Sequence, residues 1–243
     1  MVTKERYYDR LKVEDLYIPE DLGHTHLRLF SEGHAFKIRD VIKSPEHLLS
    51  ILRRYDPSDV FYTPSKFSDP TVINKKSDKI SQNLFLYANE FVIDIDSSDK
   101  KKSGEENLTA SKNAVLKILG YLKHAEWVPF MPFGWYPFML VYSGNKGWHL
   151  HFHFDIRPNE PDPVKRELHV KRIKSRIIDD IYRFEPLVDT IPSWDTRRII
   201  RLPGSVHGKT GNLVEIVKEE DIPDYKPKHM VEIEKKTTFR DYV

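Results

Sequence analysis

The sequence predicts an α+β fold, and two observations lead to that prediction. Segments typical of strands, such as "FVIDID" and "GWHLHFHFDI", occur beside longer segments with the apolar spacing of amphipathic helices. These segments do not alternate as regular strand–helix–strand units, so a purely parallel sheet is not indicated. The chain has 243 residues and no detectable internal repeat, which is long enough to bury a sizeable core.

The composition is that of a soluble globular protein, with 31% charged and 39% hydrophobic residues. No apolar run approaches the roughly 18 residues that a membrane helix needs. The first residues lack the apolar core of a secretory signal, so we expect a cytoplasmic protein with no membrane association. Cysteine is absent, which excludes disulfides, thiolate zinc sites and thiol nucleophiles. Because the net charge is only +2, any surface that binds nucleic acid must be locally basic.

The first helix predicted from a clear N-terminal signal lies in "SPEHLLSILRRY", with Ser44 as N-cap and Pro45 at the first helical position. Its apolar side consists of Leu48, Leu49, Ile51 and Leu52. The segment "FVIDIDSSD" predicts a strand that ends in a polar turn. We expect 97–107 to form a mobile loop, followed by a helix whose apolar residues are Val115, Ile118, Leu119 and Leu122.

Two further strands are predicted in "FMLVYSG" and "GWHLHFHFDI", joined by "SGNKG" as a hairpin or a longer connection. A long amphipathic helix follows at 163–184, and its opposite faces are distinct. The apolar face contains Val170, Ile173, Ile177, Ile181 and Phe184, and the other face contains Lys165, Arg166, Arg172, Arg176 and Arg183. "RRIIRLPGSVHGKTGNLVEIV" predicts a strand, a glycine-rich turn and a strand, and the charged C-terminal segment is expected to be loosely structured.

A pair of acids stands at the end of the first of these strands. Because side chains alternate along a strand, Asp94 and Asp96 of "FVIDID" point to the same face. Two like charges repel each other there, and hard carboxylate oxygens suit Mg²⁺ or Mn²⁺. Taken alone, however, the pattern D-x-D more often represents two solvated acids.

The loop "SGNKG" is typical of an anion site. Its glycines allow a sharp turn with free amide N–H groups, and Lys146 adds a positive charge. His149, His151 and His153 alternate along the following strand and share one face. A histidine metal site is the alternative, but a phosphate pocket also accounts for the lysine and the glycines.

The third motif, "RLPGSVHGKTG", is not a P-loop. The P-loop pattern requires glycine five positions before Gly208, and Pro203 stands there instead. What remains is a turn surrounded by polar and basic side chains, or simply a surface hairpin. These side chains belong to Arg201, Ser205, His207 and Lys209.

Together the three motifs resemble one family. D-x-D, then S-G-x-K-G-x-H, then a block around R-L-P-G-S-x-H-G-K-T-G have the order and spacing of the archaeo-eukaryotic primase superfamily. Within it, the chain resembles the small catalytic subunit of archaeal and eukaryotic DNA primases. The resemblance covers about 91–211 and extends faintly upstream to "KIRD" and "DVFYTPSKFSDP".

The resemblance implies a primase-polymerase fold, in which an RRM-like antiparallel catalytic sheet packs beside a second α/β layer. Residues 1–243 then form a single catalytic domain with an N-terminal α/β part (1–90), a catalytic core (91–217) and a C-terminal tail (218–243). It also implies a site in which Asp94, Asp96 and Asp189 hold two Mg²⁺ or Mn²⁺ ions, with Asp195 as a competitor for the third position. The nucleotide-binding residues carried over from the family are Ser143, Lys146, His149, Arg201 and His207, with Arg39 from the fainter upstream match.

The chain departs from the family in one respect. Replicative small subunits usually carry a zinc knuckle, which cannot form without cysteine, and we expect no structural zinc. The chain is also shorter than many relatives, which places a role as the main chromosomal primase in doubt.

The function implied is primer synthesis on single-stranded DNA from nucleoside triphosphates, with a large primase regulatory subunit as the partner that the family suggests. Two alternatives stay open. One is a repair or end-joining polymerase that extends a supplied primer, and the other is a non-catalytic primase accessory.

Overall fold

The computed structural model describes residues 6–31, 34–38, 40–73, 82–97, 99–124 and 136–230. Within these residues, nine strands pair antiparallel in one sheet, and helices cover both of its faces. The strands are β1 (Thr25–Ser31), β2 (His34–Lys37), β3 (Asp59–Phe67), β4 (Phe85–Ile95), β5 (Met139–Tyr142), β6 (Trp148–Ile156), β7 (Val188–Asp189), β8 (Ile200–Arg201) and β9 (Glu215–Ile216). The helices are α1 (Tyr7–Arg10), α2 (Pro45–Tyr55), α3 (Gly104–His124), α4 (Pro163–Phe184) and α5 (Thr190–Trp194).

The sheet order is β2-β1-β3-β4-β6-β5-β9, with β7 paired to β4 and β8 paired to β3. The prediction of an α+β fold is therefore confirmed. None of the helices in the described part of the chain has the length and apolar character needed to cross a membrane.

Side-chain alternation along β4 divides the core into two parts. Phe91, Ile93 and Ile95 pack against α3 and α4 on one face of the sheet. Val92 points to the other face and packs with α2 and the N-terminal segments. Asp94 alternates with these residues and shares the face of Val92. The face that carries the acids is thus opposite to the face covered by α4.

Helix α2 begins where its N-terminal signal indicated, and α4 has the predicted bounds, 163–184. Ser44 accepts a hydrogen bond from the backbone N–H of His47 at 3.2 Å, with Pro45 at the first position of α2. Asp162 accepts from the N–H of Val164 at 2.9 Å at the start of α4. The apolar face of α4 also buries Lys174, which a count of apolar spacing does not detect.

The expectation of a mobile loop at 97–107 is wrong in its second half. Helix α3 already begins at Gly104, and Ser103 and Glu106 exchange hydrogen bonds at its start. The buried Asn107 side chain bonds with Ser97 Oγ and with backbone atoms of Asp99. One amide side chain therefore ties the turn to the helix.

The glycine-rich segment forms a short antiparallel hairpin, in which Val206 bridges Leu213 and the His207 N–H donates to the Asn212 carbonyl at 2.9 Å. Strands β8 and β9, which flank it, do not pair with each other. Strand β8, before it, pairs with β3, whereas β9, after it, pairs with β5. The segment therefore crosses between distant strands of the sheet. The residues that follow are also more ordered than expected, because Ile222 and Tyr225 are buried in the core with Trp148 and Tyr142.

Candidate active site

Strand pairing brings the acidic residues to one end of the sheet. Asp94, near the end of β4, lies opposite His149 of β6 on one side and Asp189 of β7 on the other. The Asp94 side chain is 23% exposed. Burial, together with the nearby Asp189 and Asp96 carboxylates, raises the pKa of Asp94 to about 7. The three carboxylates are thus close enough to repel one another.

Asp189 and Asp195 stand at the two ends of the short helix α5 and face different surroundings. Asp189 caps its start by accepting from the N–H of Ile191 at 3.2 Å. Ser193 connects this turn to β4, since its hydroxyl donates to the Asp189 carbonyl and accepts from the Asp94 N–H. Asp195 instead accepts from the N–H of Arg197 at 3.1 Å. Of the two acids, Asp189 is the one paired with Asp94.

The loop 143–147 closes the hairpin between β5 and β6 directly beside these acids. A Cβ atom at Gly147 would lie 3.0 Å from the Ile95 carbonyl and 3.7 Å from Asp96 Oδ1, so glycine permits this close approach. Helix α3 fixes the loop, because Ser111 Oγ donates a hydrogen bond to the Lys146 carbonyl at 2.5 Å. Ser143 is buried, and the Lys146 side chain is half-buried.

The glycine-rich segment packs on the same loop. Gly144 has φ +91°, and a Cβ atom there would lie 2.5 Å from the His207 Cβ. Thr210 Oγ1 donates to the Gly144 carbonyl at 2.6 Å. These contacts bring the second and third sequence motifs together, although 60 or so residues separate them in the chain.

Asp59, at the start of β3, organises the basic side of the site. Its Oδ1 accepts from Arg201 Nη2 at 3.2 Å and from the Gly208 N–H at 3.0 Å. Burial and the nearby Arg201 lower the pKa of His207 to about 4, so this imidazole is neutral at neutral pH. Its Nδ1 accepts from the Lys209 N–H at 3.2 Å, which leaves the proton on Nε2.

The three alternating histidines of β6 have different environments. His149 is 5% exposed, and its Nε2 lies 3.8 Å from Asp94 Oδ1. Burial lowers the pKa of His149 well below 6.5, so this ring is also neutral. His151 is fully buried against Glu90, whereas His153 is exposed and stacks on Phe138. The histidines therefore do not converge on one point.

The donor set at the strand end fits a divalent cation in its chemistry. Asp94, Asp96 and Asp189 offer hard oxygen ligands. Burial and then the two neighbouring carboxylates raise the pKa of Asp94, and a cation would favour its ionised form. Among the described residues, no group of three or more acidic or histidine side chains has the geometry to hold a metal unaided. Further ligands must then come from other molecules, as is usual for Mg²⁺ bound with phosphates.

Two residues near the acids and loops were not singled out from the sequence. Asp59 begins the upstream block "DVFYTPSKFSDP", so the resemblance contained its signal. Arg198 lies near enough to Asp94 to favour its ionised form, but nothing in the local sequence distinguishes it from Arg197. Arg39 lies outside the described residues.

Comparisons with known proteins agree with these motifs. No family model matches the chain. The DNA primase small subunit PriS of Archaeoglobus fulgidus is 23% identical over 230 residues, covering 70% of this chain and 64% of the relative. The chain therefore matches less than two thirds of that protein's length.

Two solved structures are similar in fold. The polymerase domain of ligase D from Mycobacterium tuberculosis, solved with DNA, aligns with a TM-score of 0.57 at 14% identity, over 91% of this chain and 82% of that one. The primase-polymerase domain from cyanophage S-2L aligns over 82% of this chain and 83% of that one at 15% identity, but its TM-score of 0.46 adds no argument. The chain thus shares the α+β fold of the ligase D polymerase domain and is similar in sequence to an archaeal DNA primase small subunit.

Proposed function

We propose that this protein is a template-directed nucleotidyltransferase that synthesises short primers on single-stranded DNA from nucleoside triphosphates, by a two-metal mechanism. The observation that carries the proposal is the meeting of three distant segments at one strand end. Asp94 pairs in register with both His149 and Asp189, and the loop containing Lys146 packs against Asp96 and His207. Acids on one side and phosphate-binding groups on the other are what nucleotidyl transfer requires.

The basic side of the cleft suits a triphosphate. Arg201 retains its positive charge beside Asp59, and its partly exposed guanidinium can also contact an anion. The Nε2–H of neutral His207 is a donor that does not require a second proton. Lys146 and the amides of its loop add further donors. Since Asp59 fixes both Arg201 and Gly208, these donors are positioned before the substrate arrives.

The acidic side would hold two Mg²⁺ or Mn²⁺ ions through Asp94, Asp96 and Asp189. When bound, such ions supply Lewis-acid stabilisation of the triphosphate and acidify the attacking 3′-hydroxyl. The protein's own contribution is to keep these carboxylates close despite their repulsion. Ser193 does this by linking the Asp189 turn to the Asp94 backbone, so neither acid can move away alone.

One experiment separates primer synthesis from its alternatives. The protein is incubated with nucleoside triphosphates and Mg²⁺ or Mn²⁺ on a single-stranded homopolymer, with and without an annealed primer. Dinucleotide and longer products without a primer support the proposal. Extension of the annealed primer alone indicates a repair or end-joining polymerase, for which the fold likeness to the ligase D domain is the specific reason. No product under either condition, with template still bound, indicates a non-catalytic accessory.

A further inference from the structure

Strands β1 and β3 bury one face and leave the other face partly open to solvent. The side chains on the buried face pack with α2 and belong to Leu27, Leu29, Val60 and Tyr62. Because side chains alternate along a strand, Arg28, Phe30 and Phe61 point to the opposite face. All three are half-buried, so each keeps some contact with solvent. None of the three has a role in the site described above.

The strand register joins this open face to the candidate site. Arg28 lies opposite Phe61 in the β1–β3 pair, and Phe61 lies opposite Arg201 in the β3–β8 pair. Residues directly opposite each other in antiparallel strands have side chains on the same face. The three side chains therefore form one row, which ends at Arg201. Since neighbouring strands lie about 4.8 Å apart, Arg28 is roughly 10 Å from Arg201 across the sheet.

A second row, one strand step away, contains an aromatic ring. Phe30 lies opposite Asp59, whose carboxylate accepts from the Gly208 N–H at 3.0 Å. The rings of Phe30 and Phe61 meet edge to face, with centroids 5.5 Å apart. The Arg201 guanidinium lies over the Phe61 ring, 4.8 Å from its centroid. Since Arg201 occupies Phe61, Phe30 is the ring of the pair that remains for a ligand.

The charges on this face favour an anionic partner. Within the described parts of the chain, the Arg28 side chain has neither an ion pair nor a hydrogen bond. Asp59, on the same face, is already compensated by Arg201 Nη2 at 3.2 Å. An uncompensated cation thus lies beside a half-exposed aromatic ring. Single-stranded nucleic acid matches both features, because it combines charged phosphates with unpaired bases that stack on aromatic side chains.

We propose that Arg28 and Phe30 bind the single-stranded DNA template where it approaches the candidate site. A base stacks on Phe30, Arg28 contacts a phosphate, and Phe61 supports both Phe30 and Arg201. The identity of this strand as a template rests on the proposed function, whereas binding of single-stranded DNA at this face requires no catalysis. Continuity with the candidate site through Arg201 distinguishes this face from the basic face of α4.

The test measures binding of fluorescently labelled oligothymidylate to the full-length protein by anisotropy, without nucleotide. Phe30→Leu keeps an apolar side chain but removes the aromatic face. We expect its Kd to rise about 10-fold, as for the loss of one stacked base. Phe30→Tyr should bind like the wild type. Arg28→Gln should lower the slope of log K against log salt by about 0.7, as expected for one lost phosphate contact to a single strand.

Matched controls come from α4 and from duplex DNA. Tyr182→Leu and Arg176→Gln change an exposed aromatic and an exposed cation of α4, and both should leave affinity and salt slope unchanged. In a duplex the bases are already paired and stacked. Phe30→Leu should therefore not weaken duplex binding, whereas any phosphate contact of Arg28 can persist there.

A second measurement uses the wild type alone. Oligothymidylate that contains iododeoxyuridine is crosslinked by light, and the attachment site is located by mass spectrometry. We expect attachment within β1, Thr25–Ser31. This measurement decides the question if Phe30→Leu does not fold, and crosslinks confined to other segments overturn the inference.

The remaining outcomes are distinct. Equal affinity of wild type and folded Phe30→Leu for the single strand overturns the inference, as does a wild type that binds no single-stranded DNA. A wild type that self-associates in sedimentation through this face, while Phe30→Leu is monomeric with unchanged DNA affinity, assigns the face to a second copy and also overturns it. A wild type that binds DNA as expected but incorporates no nucleotide retains the binding face and refutes the proposed function instead.

Discussion

The three acids of the candidate site differ in how far burial disfavours their ionised forms. Burial and the neighbouring carboxylates raise the pKa of Asp94 to about 7, which disfavours the ionised form that the proposed metal binding needs. Asp96 and Asp189 are exposed, so water can solvate their carboxylates. Carboxyl groups with strongly shifted pKa values are often found at functional sites, where they serve binding or catalysis rather than stability.

The proposed phosphate-binding role of Lys146, Arg201 and His207 predicts which constant a substitution changes. Alanine at any of these positions removes a hydrogen bond to a charged phosphate group, worth about 1.5–3 kcal/mol. We expect the KM for nucleotide to rise about 10-fold to 100-fold, with little change in the Kd for single-stranded template. Lys123→Ala, which removes a cation paired with Glu219 elsewhere on the surface, serves as the control. Equal loss of nucleotide and template affinity would instead assign these side chains to DNA contact.

At the scale of elements, α4 carries an unusual charge on its buried face. Lys174 lies between the Phe91 and Phe154 rings, at 5.7 and 5.5 Å from their centroids, and reaches the Glu90 carbonyl at 3.4 Å. Burial lowers the pKa of Lys174 from 10.5 to about 8. The unfolded chain therefore binds this proton more tightly, and the free energy of unfolding rises as pH increases from about 8 to 10.5.

Lys174→Met should consequently stabilise the protein at pH 7 by roughly 1–2 kcal/mol, because it removes a poorly solvated charge and fills similar volume. The advantage should shrink toward pH 10, where the wild-type lysine is neutral. Urea unfolding at both pH values measures the difference. Lys165→Met, an exposed position on the same helix, should show no such pH trend. A methionine variant that is less stable than wild type at pH 7 would contradict this account.

The basic face of α4 is open to two interpretations, template contact and a solvated surface. The apolar face of the helix covers the side of the sheet opposite to Asp94, so Arg172 and Arg176 point away from the acids. We therefore expect that Arg172→Glu with Arg176→Glu leaves template binding and its salt dependence unchanged. A slope of log K against log salt that falls by about one unit per lost contact would show that DNA reaches this face.

Elements with a clear local signal were predictable from the sequence, and those defined by long-range pairing were not. Ser44 and Pro45 mark the start of α2 through a local hydrogen bond and a fixed backbone angle. By contrast, β7 is two residues long and exists because β4 offers it a partner.

The candidate site divides in the same way. Asp94 and Asp96 follow from alternation along one strand. Asp189 came only from the resemblance, since its proximity to Asp94 depends on β7. Asp59 and Arg198 were missed because their roles arise between segments, and the tie formed by Asn107 escaped notice for the same reason.

At the scale of the whole molecule, the acids lie at the edge of a core that does not depend on them. Both parts of the core consist of apolar side chains from several helices and strands. Removal of divalent cations with EDTA, followed by desalting, should abolish nucleotide incorporation and shift the melting temperature by no more than about 2 °C. Activity should return with Mg²⁺ or Mn²⁺. A large fall in melting temperature, together with one zinc per chain by elemental analysis, would reveal a structural metal.

The central claim is that Asp94, Asp96 and Asp189 together make this fold a nucleotidyltransferase. The most direct measurement is template-dependent nucleotide incorporation by the wild type and by four variants, each with one acid changed to asparagine, at equal folded concentration. We predict that Asp94→Asn, Asp96→Asn and Asp189→Asn lose at least about 100-fold in rate, as expected when a group that stabilises transition-state charge is removed. Asp195→Asn changes an acid that accepts from the Arg197 backbone N–H, and this variant should stay near the wild-type rate. An active Asp94→Asn variant, or an inactive Asp195→Asn beside an active Asp189→Asn, would contradict the assignment.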